Sequence, residues 1–357
     1  MKRGECKMPG GKLVAVNVRV DDDVPVECAL DGDFFVVGGN ETQQTSFLKA
    51  IGDALIDGEE LGSVFRTYSA IRLLGTDAKA IRTAYRRAVQ GAKCDAPDAK
   101  NRSFRASNTK VKTFDAYETE SPLTLFDWRE RWQTLKPRVF IDEPRCAKDQ
   151  MLLEERFARE VACGVRPATV RFWRWSRPAV VVGRFQSIAD EVDQVQARRL
   201  GFDVVRRPTG GGAMLVEPER VITYSLYAPL DFVAGLSVAQ SYRLCDAWLL
   251  AAFKQLGLDA HFSGLNDIAS QRGKIGGSAQ RRYPSRQSGG GAVLHHTMLD
   301  WDVHADIMTK VLKVSKEKLS DKAVRSSVKR VDALSRQTDR NQSTMIGSLF
   351  DFVSSSI

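Results

Sequence analysis

The chain has 357 residues, more than one ordinary domain needs, and its 43% hydrophobic content is ample for packed cores. We therefore expect two domains. The net charge of +9 indicates an acidic partner or substrate, but the basic residues are spread along the chain and no nucleic-acid-binding motif occurs. The spread of the basic residues and the lack of a motif disfavour a nucleic-acid-binding protein.

Membrane insertion and disulfide bonding are also disfavoured. No apolar run is long enough to span a bilayer, and Met1–Cys6 lacks the apolar core of a secretory signal, so we expect a cytoplasmic protein without a membrane partner. The cysteines lack CxxC spacing, which disfavours a disulfide framework or a structural zinc site and predicts free thiols. They are Cys6, Cys28, Cys94, Cys146, Cys163 and Cys245.

Residues 1–93 carry the pattern of a small α+β domain. Val14–Val20 largely alternates apolar and polar residues, and Val26–Leu30 follows a turn as the expected antiparallel partner. Helical spacing of apolar residues then predicts helices over Gln43–Leu55 and Asp77–Val89. No catalytic group stands out in this domain.

Residues 94–137 are predicted to form a linker, because polar residues are in excess over its first half. Trp128 and Trp132 lie four positions apart, which predicts a short helix that packs both rings.

Residues 138–357 form the second predicted domain, in which helical and strand patterns alternate. They favour an α+β architecture with a mixed β-sheet and helices packed on it. The predicted helices are Asp149–Ala162, with Glu154 on its wetter side, Asp190–Leu200 and Val238–Leu256; the predicted strands are Thr169–Trp175, Ala179–Val182, Phe202–Val205, Val221–Leu226 and Ala292–Asp300.

A loop with three consecutive glycines, Gly210–Gly212, lies between two of these strands. Such a loop suits positive φ or close approach of an anion to bare backbone. Arg206 and Arg207 at its entrance add forked cationic donors. A flexible hairpin with solvated arginines explains the loop equally well.

The run Gly273–Gln280 carries one lysine, Lys274, among glycines. This lysine could reach an anion, although a solvated lysine at a hairpin tip is the simpler interpretation. His295 and His296 follow on a predicted strand, where adjacent residues face opposite sides, which disfavours a metal site formed by the pair.

Five segments in this order resemble the lipoate-protein ligases of the biotin and lipoate ligase superfamily. They are Val180–Gln186, similar to a strand followed by GRxQ; Arg206–Ala213, similar to RRxSGGGAV; Asn266–Asp267; Gly273–Gln280; and His295–His296. The resemblance covers residues 140–335 and implies the biotin/lipoate ligase fold. Thr209 replaces the commoner serine, and Thr297–Met298 stands where Gly-Thr often follows the histidines.

The N-terminal domain is similar to the accessory domain of these ligases, on the segments Gly10–Val14 and Gly32–Phe35. Here it precedes the catalytic domain, an order that resembles fused ligases associated with bacterial sulfur oxidation. The resemblance implies that it closes over the adenylate and then swings away to admit the acceptor.

The resemblance implies a two-step reaction that uses MgATP. Lipoate or octanoate is activated as acyl-AMP, and a lysine of an acidic lipoyl-domain acceptor then attacks it; the acceptor is glycine-cleavage-H-like or a sulfur-oxidation lipoate-binding protein. Lys274 would be catalytic, Asp267 would bind the metal, and Gly210–Gly212 would wall the lipoyl tunnel. The residues implied to bind ATP or the adenylate are Arg207, Gly210, Gly211, Gly212, Ala213, Met214, Leu215, Asn266, Asp267 and Lys274.

Three alternatives remain at the level of sequence. An octanoyl- or lipoyl-transferase that works without ATP needs a nucleophilic cysteine near the acyl site, and the chain has none after Cys245. A biotin ligase would carry a GRGRxG-type loop. A non-catalytic binder of lipoylated domains would have kept the scaffold without nucleotide-dependent activity.

Overall fold

The chain separates into two compact units, Met1–Tyr117 and Glu118–Ile357. The computed structural model describes residues 1–8, 11–90, 125–285, 290–302, 304–313 and 331–355. Most of the predicted linker, residues 94–124, lies outside these ranges. Within them, no helix has the length and apolar character needed to cross a bilayer.

The first unit is built on a three-stranded antiparallel sheet in the order β1-β2-β3. Its strands are β1 (Lys2–Lys7), β2 (Leu13–Asp21), β3 (Val24–Gly32), β4 (Phe35–Val37) and β5 (Arg72–Leu74); its helices are α1 (Glu41–Ile56), α2 (Leu61–Thr67) and α3 (Ala78–Gln90). The predicted hairpin and both predicted helices are confirmed.

Strand β1 was not predicted, because its residues are mostly charged and do not alternate. Packing against α3 explains why it forms. A Cβ on Gly4 would lie 2.1 Å from the Ala84 carbonyl oxygen, so the strand approaches the helix more closely than any side chain would allow.

The second unit contains a seven-stranded sheet in the order β12-β13-β14-β15-β11-β7-β6. Neighbouring strands are antiparallel except for the parallel pair β6–β7, which confirms the predicted mixed sheet. The strands are β6 (Arg138–Ile141), β7 (Thr169–Trp173), β11 (Val221–Pro229), β12 (His261–Ser263), β13 (Asp267–Ala269), β14 (Lys274–Pro284) and β15 (Gly291–Asp300).

A smaller sheet in the order β10-β8-β9 completes this unit. It is formed by β8 (Ala179–Val182), β9 (Asp203–Arg206) and β10 (Met214–Val216). Strand β8 is buried on both faces, which explains its continuous apolar sequence. The helices of the unit are α4 (Leu125–Leu135), α5 (Ala147–Ala162), α6 (Ile188–Glu191), α7 (Gln194–Arg199), α8 (Val238–Gln255), α9 (Ala305–Val311) and α10 (Gln342–Ser355).

The large sheet has two differently covered faces. One face packs against α8, α10 and α4 in the main hydrophobic core. Trp128 and Trp132 of α4 are buried in that core, as the four-residue spacing predicted. The other face packs against α5 and the small sheet through two further apolar clusters. We call this second side the α5 face.

Two local predictions were wrong. The helix expected over Asp190–Leu200 is two short helices, because Val192 leaves the helical path and bridges to Leu312. The solvated lysine expected at a hairpin tip is instead the first residue of β14, directly after the β13–β14 turn and paired with Asp267. Gly276 and Gly277 lie inside this strand, where their pairing with β13 and β15 overrides their weak strand propensity.

Candidate active site

Lys274 lies at the start of β14 and is paired with Asp267. Its Nζ donates to Asp267 Oδ1 at 2.7 Å. The pairing register shifts beside this point, and the Lys274 carbonyl accepts from the Asp332 amide at 2.9 Å, which fixes the backbone. A Cβ on Gly277 would lie 3.2 Å from the lysine Nζ. The glycine therefore leaves room for the ion pair above the strand.

Asn266 and Asp267 have different roles in the geometry. The Asn266 side chain donates to the Ser278 carbonyl at 2.8 Å, and the Ser278 amide donates to the Asn266 carbonyl at 2.8 Å. These bonds hold the loop before β13 against β14, and they bring Asp267 next to Lys274. The structure thus brings together three residues that the sequence singled out.

The triple-glycine loop runs between β9 and β10. Gly211 has φ 96°, a conformation that favours glycine. A Cβ on Gly183 would lie 1.9 Å from the Gly211 carbonyl oxygen, so the end of β8 and the loop meet at two glycines. Arg206 Nη1 donates to the carbonyls of Gly183, Arg184 and Gln186 at 2.8, 2.9 and 2.6 Å. The GRxQ-like and glycine-rich segments therefore form one substructure.

Arg207 is 4% exposed, and its buried side chain stabilises the loop through hydrogen bonds. Its guanidinium donates to Thr209 Oγ1 at 3.1 Å, to the Gly210 carbonyl at 2.7 Å and to the Val181 carbonyl at 3.3 Å. These contacts give Arg207 a structural task. A contact with nucleotide stays a prediction.

The other predicted loop residues divide by burial. Gly210 and Gly211 are buried, whereas Gly212 and Ala213 are partly exposed. Met214 and Leu215 are adjacent in β10 and face opposite sides. Met214 packs in the apolar cluster between the two sheets, and Leu215 packs behind the small sheet.

The cluster between the sheets is the apolar part of the candidate site. It contains Trp173 and Trp175, whose ring centroids are 4.8 Å apart, together with Val181 and partly buried Met214 and Met298. Met298 is paired with Gly277 on β14, so this cluster adjoins the strand position beneath Lys274. An apolar region beside a cation suits a fatty acid.

His295 and His296 face opposite sides of β15, as predicted. His295 Nε2 is 2.7 Å from Asp246 of α8. His296 Nδ1 is 2.6 Å from Glu154 of α5, and its Nε2 is 2.8 Å from Thr209 Oγ1. Across the described ranges, His, Cys, Asp and Glu side chains form no group of three or more that could hold a metal ion.

Glu154 and His296 are shifted in pKa by their surroundings. Burial alone would raise the pKa of Glu154, but the hydrogen bond and charge of His296 and the charge of Arg171 outweigh it and lower the pKa. Burial lowers the pKa of His296 despite the opposing effect of Glu154, and Arg207 lowers it further. The surroundings thus favour the ionised form of Glu154 and the neutral form of His296.

Sequence reasoning missed the buried carboxylates that pair with the two histidines, Glu154 and Asp246. Glu154 was expected on the wetter side of its helix, and this is wrong: its side chain is fully buried. A signal was present, because Gln150, Glu154, Phe157 and Ala158 share the helix face that is buried. Asp246 carries a comparable signal, because it shares the buried face of α8 with Tyr242, Leu249 and Phe253.

Residues 146–346 match the family described as the lipoyl protein ligase A/B catalytic domain. The chain belongs to this family. The described cysteines of the chain are free, as predicted, and Cys94 lies outside the described ranges. The match places the motif segments described above within one catalytic domain.

Individual relatives carry two different names. The chain is 30% identical over 226 residues to octanoyltransferase LipM of Geobacillus kaustophilus, covering 56% of the chain and 78% of the relative. It is 27% identical over 227 residues to octanoyltransferase LipM of Anoxybacillus flavithermus, covering 57% and 79%. The fold is also that of a lipoate-protein ligase A solved with bound ATP, with 22% identity, a TM-score of 0.50 and coverage of 61% and 84%.

Proposed function

We propose that this protein is an ATP-dependent lipoate-protein ligase. It activates lipoate or octanoate as acyl-AMP with release of pyrophosphate, and then transfers the acyl group to a lysine of an acceptor protein. The observation that carries the proposal is the Lys274 ammonium, held by Asp267 at 2.7 Å above Gly277 and next to the apolar cluster between the sheets.

The chemistry requires a cation at this position. Attack of a carboxylate on the α-phosphorus joins two anions, and a positioned lysine neutralises both groups and stabilises the developing charge. Mg²⁺ is commonly bound by one or two carboxylates together with substrate phosphates, so the single Asp267 carboxylate fits such a site. When bound, Mg²⁺ supplies further neutralisation of the phosphate oxygens.

The relatives named octanoyltransferase favour a second candidate, acyl transfer without ATP. We rank it lower because the paired Lys274 suits adenylation and because Cys245, the cysteine on α8, does not suit nucleophilic attack. Cys245 is fully buried on the opposite face of the sheet from His296, where Gln280 Nε2 donates to its sulfur at 3.4 Å. Burial, reinforced by the Asp246 carboxylate, raises the pKa of this thiol, which opposes nucleophilic attack.

Pyrophosphate release tests the proposal. Intact protein, Lys274→Ala and the matched control Lys254→Ala, an exposed lysine on α8, are incubated with ATP and lipoate or octanoate without acceptor. We expect acid-dependent release that falls by at least about 100-fold in Lys274→Ala. Lys254→Ala should match the intact protein.

Absence of acid-dependent release from folded protein would contradict the ligase. Octanoyl transfer from an acyl-carrier protein in the absence of ATP would then support the second candidate. The acceptor that we propose is an acidic lipoyl domain, since the chain carries a net charge of +9.

A further inference from the structure

We propose that Glu154 and His296 are positioning residues, which hold the triple-glycine loop through the hydroxyl of Thr209. The inference rests on the proposed function for what the loop binds. None of the three side chains has to contact substrate for this task. Together we call Glu154, His296 and Thr209 the relay.

The relay is a continuous chain of contacts between α5 and the loop. Glu154 Oε2 accepts from His296 Nδ1 at 2.6 Å, and His296 Nε2 lies 2.8 Å from Thr209 Oγ1. Arg207 Nε reaches the same Thr209 oxygen at 3.1 Å. Thr209 is 1% exposed, so water does not compete for these bonds.

The neutral form of His296 gives each hydrogen bond of the relay one direction. An ionised carboxylate only accepts, so the proton of the neutral His296 ring lies on Nδ1 and its Nε2 is an acceptor. The Thr209 hydroxyl must then donate to His296, while its oxygen accepts from Arg207. The lowered pKa of His296, which burial causes, agrees with this arrangement.

The carboxylate end of the relay is rigidly held. Besides His296, Glu154 accepts from Ser225 Oγ at 2.8 Å and from the Tyr227 hydroxyl, and Arg171 lies 3.7 Å away. The hydrogen bonds from His296, Ser225 and Tyr227 satisfy the buried carboxylate and restrict its geometry. Glu154 is therefore a stable anchor for the loop.

The loop end of the relay lies directly before the segment that requires exact backbone placement. The Thr209 carbonyl accepts from the Arg184 amide at 2.8 Å, which ties the loop to the end of β8. Gly211, with its φ of 96°, follows two residues later, and Gly212 comes next with partial exposure. Anchoring Thr209 thus orients the backbone of Gly210, Gly211 and Gly212, which the resemblance implies bind ATP or the adenylate.

Hydrogen exchange of the loop tests the relay without depending on activity. The variants are Thr209→Val, which removes the hydroxyl, Thr209→Ser, which keeps it, and His296→Gln. The matched control is His295→Gln, because the adjacent histidine is paired with Asp246 on the other face. We expect amides of residues 206–215 to exchange at least about 10-fold faster in Thr209→Val and His296→Gln.

Two results would overturn the relay. One is an unchanged exchange rate of the loop in Thr209→Val; the other is equal loosening of the loop by His295→Gln. In Thr209→Ser we expect protection close to that of the intact protein. Each variant is first shown to unfold cooperatively, so that loss of the whole fold is not mistaken for a loose loop.

Kinetics then test the link to the proposed function. In the pyrophosphate assay, Thr209→Val and His296→Gln should raise KM for ATP about 10-fold with a smaller change in kcat, and the double variant should be no worse than the worse single variant. Additive losses would contradict a shared pathway. If the intact protein releases no pyrophosphate, the ligase assignment fails, while the exchange measurements still decide whether the relay exists.

Discussion

At the scale of residues, two neighbouring histidines show that adjacent side chains of one β-strand contact different parts of the protein. His295 is tied to Asp246 and to the main core, whereas His296 is tied to Glu154 and reaches the glycine loop. The alternation of β15 alone produces this division, because successive side chains leave the strand on opposite faces. Identical residues one position apart should therefore respond differently to the same substitution.

The pH dependence of stability is one such response. The pKa of His296 is lowered from its ordinary 6.5, because burial outweighs the Glu154 carboxylate. Below pH 6.5, His296 binds a proton in the unfolded chain but not in the folded protein. Its contribution to the free energy of unfolding is therefore present above pH 6.5 and is lost as the pH falls towards the folded-state pKa. The free energy of unfolding should decrease more between pH 8 and pH 5.5 in the intact protein than in His296→Gln.

Urea titrations followed by tryptophan fluorescence measure this difference. All six tryptophans lie between residues 128 and 301, so the signal reports the second unit. Equal losses of stability in both proteins would show that His296 does not titrate between the folded and unfolded states. Below pH 4.5 the lowered pKa of Glu154 adds a further loss in the same direction.

At the scale of elements, the contact between β8 and the glycine loop decides whether the candidate site can form. Gly183 directly follows the apolar strand β8, and a Cβ at this position would be only 1.9 Å from the Gly211 carbonyl oxygen. Backbone oxygens cannot move aside as a flexible side chain can. The contact therefore requires glycine at position 183, whereas Gly211 is favoured by its own φ of 96°.

Substitution of Gly183 by alanine should separate these elements. We expect Gly183→Ala to cost about 1–3 kcal/mol of unfolding free energy through overpacking and to reduce adenylation strongly. Gly347→Ala in α10 is the control: no atom lies within 4 Å of the added Cβ, and the change should stabilise the helix by up to about 1 kcal/mol. Equal effects of the two substitutions would argue against the close contact.

Helix α4 offers a second test at this scale. Trp132 is fully buried, its ring packs edge-on against Phe232 and Trp248, and its Nε1 donates to the Leu244 carbonyl at 2.9 Å. We expect Trp132→Ala to cost about 3–5 kcal/mol in urea unfolding. Glu130→Ala, an exposed position on the same helix, should change stability by less than about 0.5 kcal/mol. A small effect of Trp132→Ala would mean that α4 does not contribute to the core.

Sequence patterns predicted the helices and strands that neighbouring residues encode. They missed those that form only through contact with residues distant in the chain. The amphipathic helices α5 and α8 and the apolar strand β8 were predicted within a few residues. The three-residue strand β10 was missed, since it exists only through its pairing with β8. The bond between His296 and Glu154 joins residues 142 positions apart, which no short motif encodes.

At the scale of the whole molecule, the second compact unit extends further towards the N-terminus than the family match does. The match begins at residue 146, but the second compact unit begins at Glu118 and includes α4. A fragment of residues 118–357 should therefore unfold in one cooperative transition, monitored by tryptophan fluorescence. A fragment of residues 138–357 lacks both Trp128 and Trp132 and should be markedly less stable; equal stability would contradict the role of α4 in the core.

The fragment of residues 118–357 also tests what the first unit contributes to catalysis. The resemblance of that unit to an accessory domain implies that it acts on the adenylate, so residues 118–357 should stay folded yet release pyrophosphate at least about 10-fold more slowly than the full chain. Addition of ATP and lipoate to the full chain at matched concentration provides the reference. If the fragment is as active as the full chain, the first unit is not needed for adenylation. Its contribution would then have to be sought in the transfer to the acceptor, by following acyl transfer from preformed lipoyl-AMP.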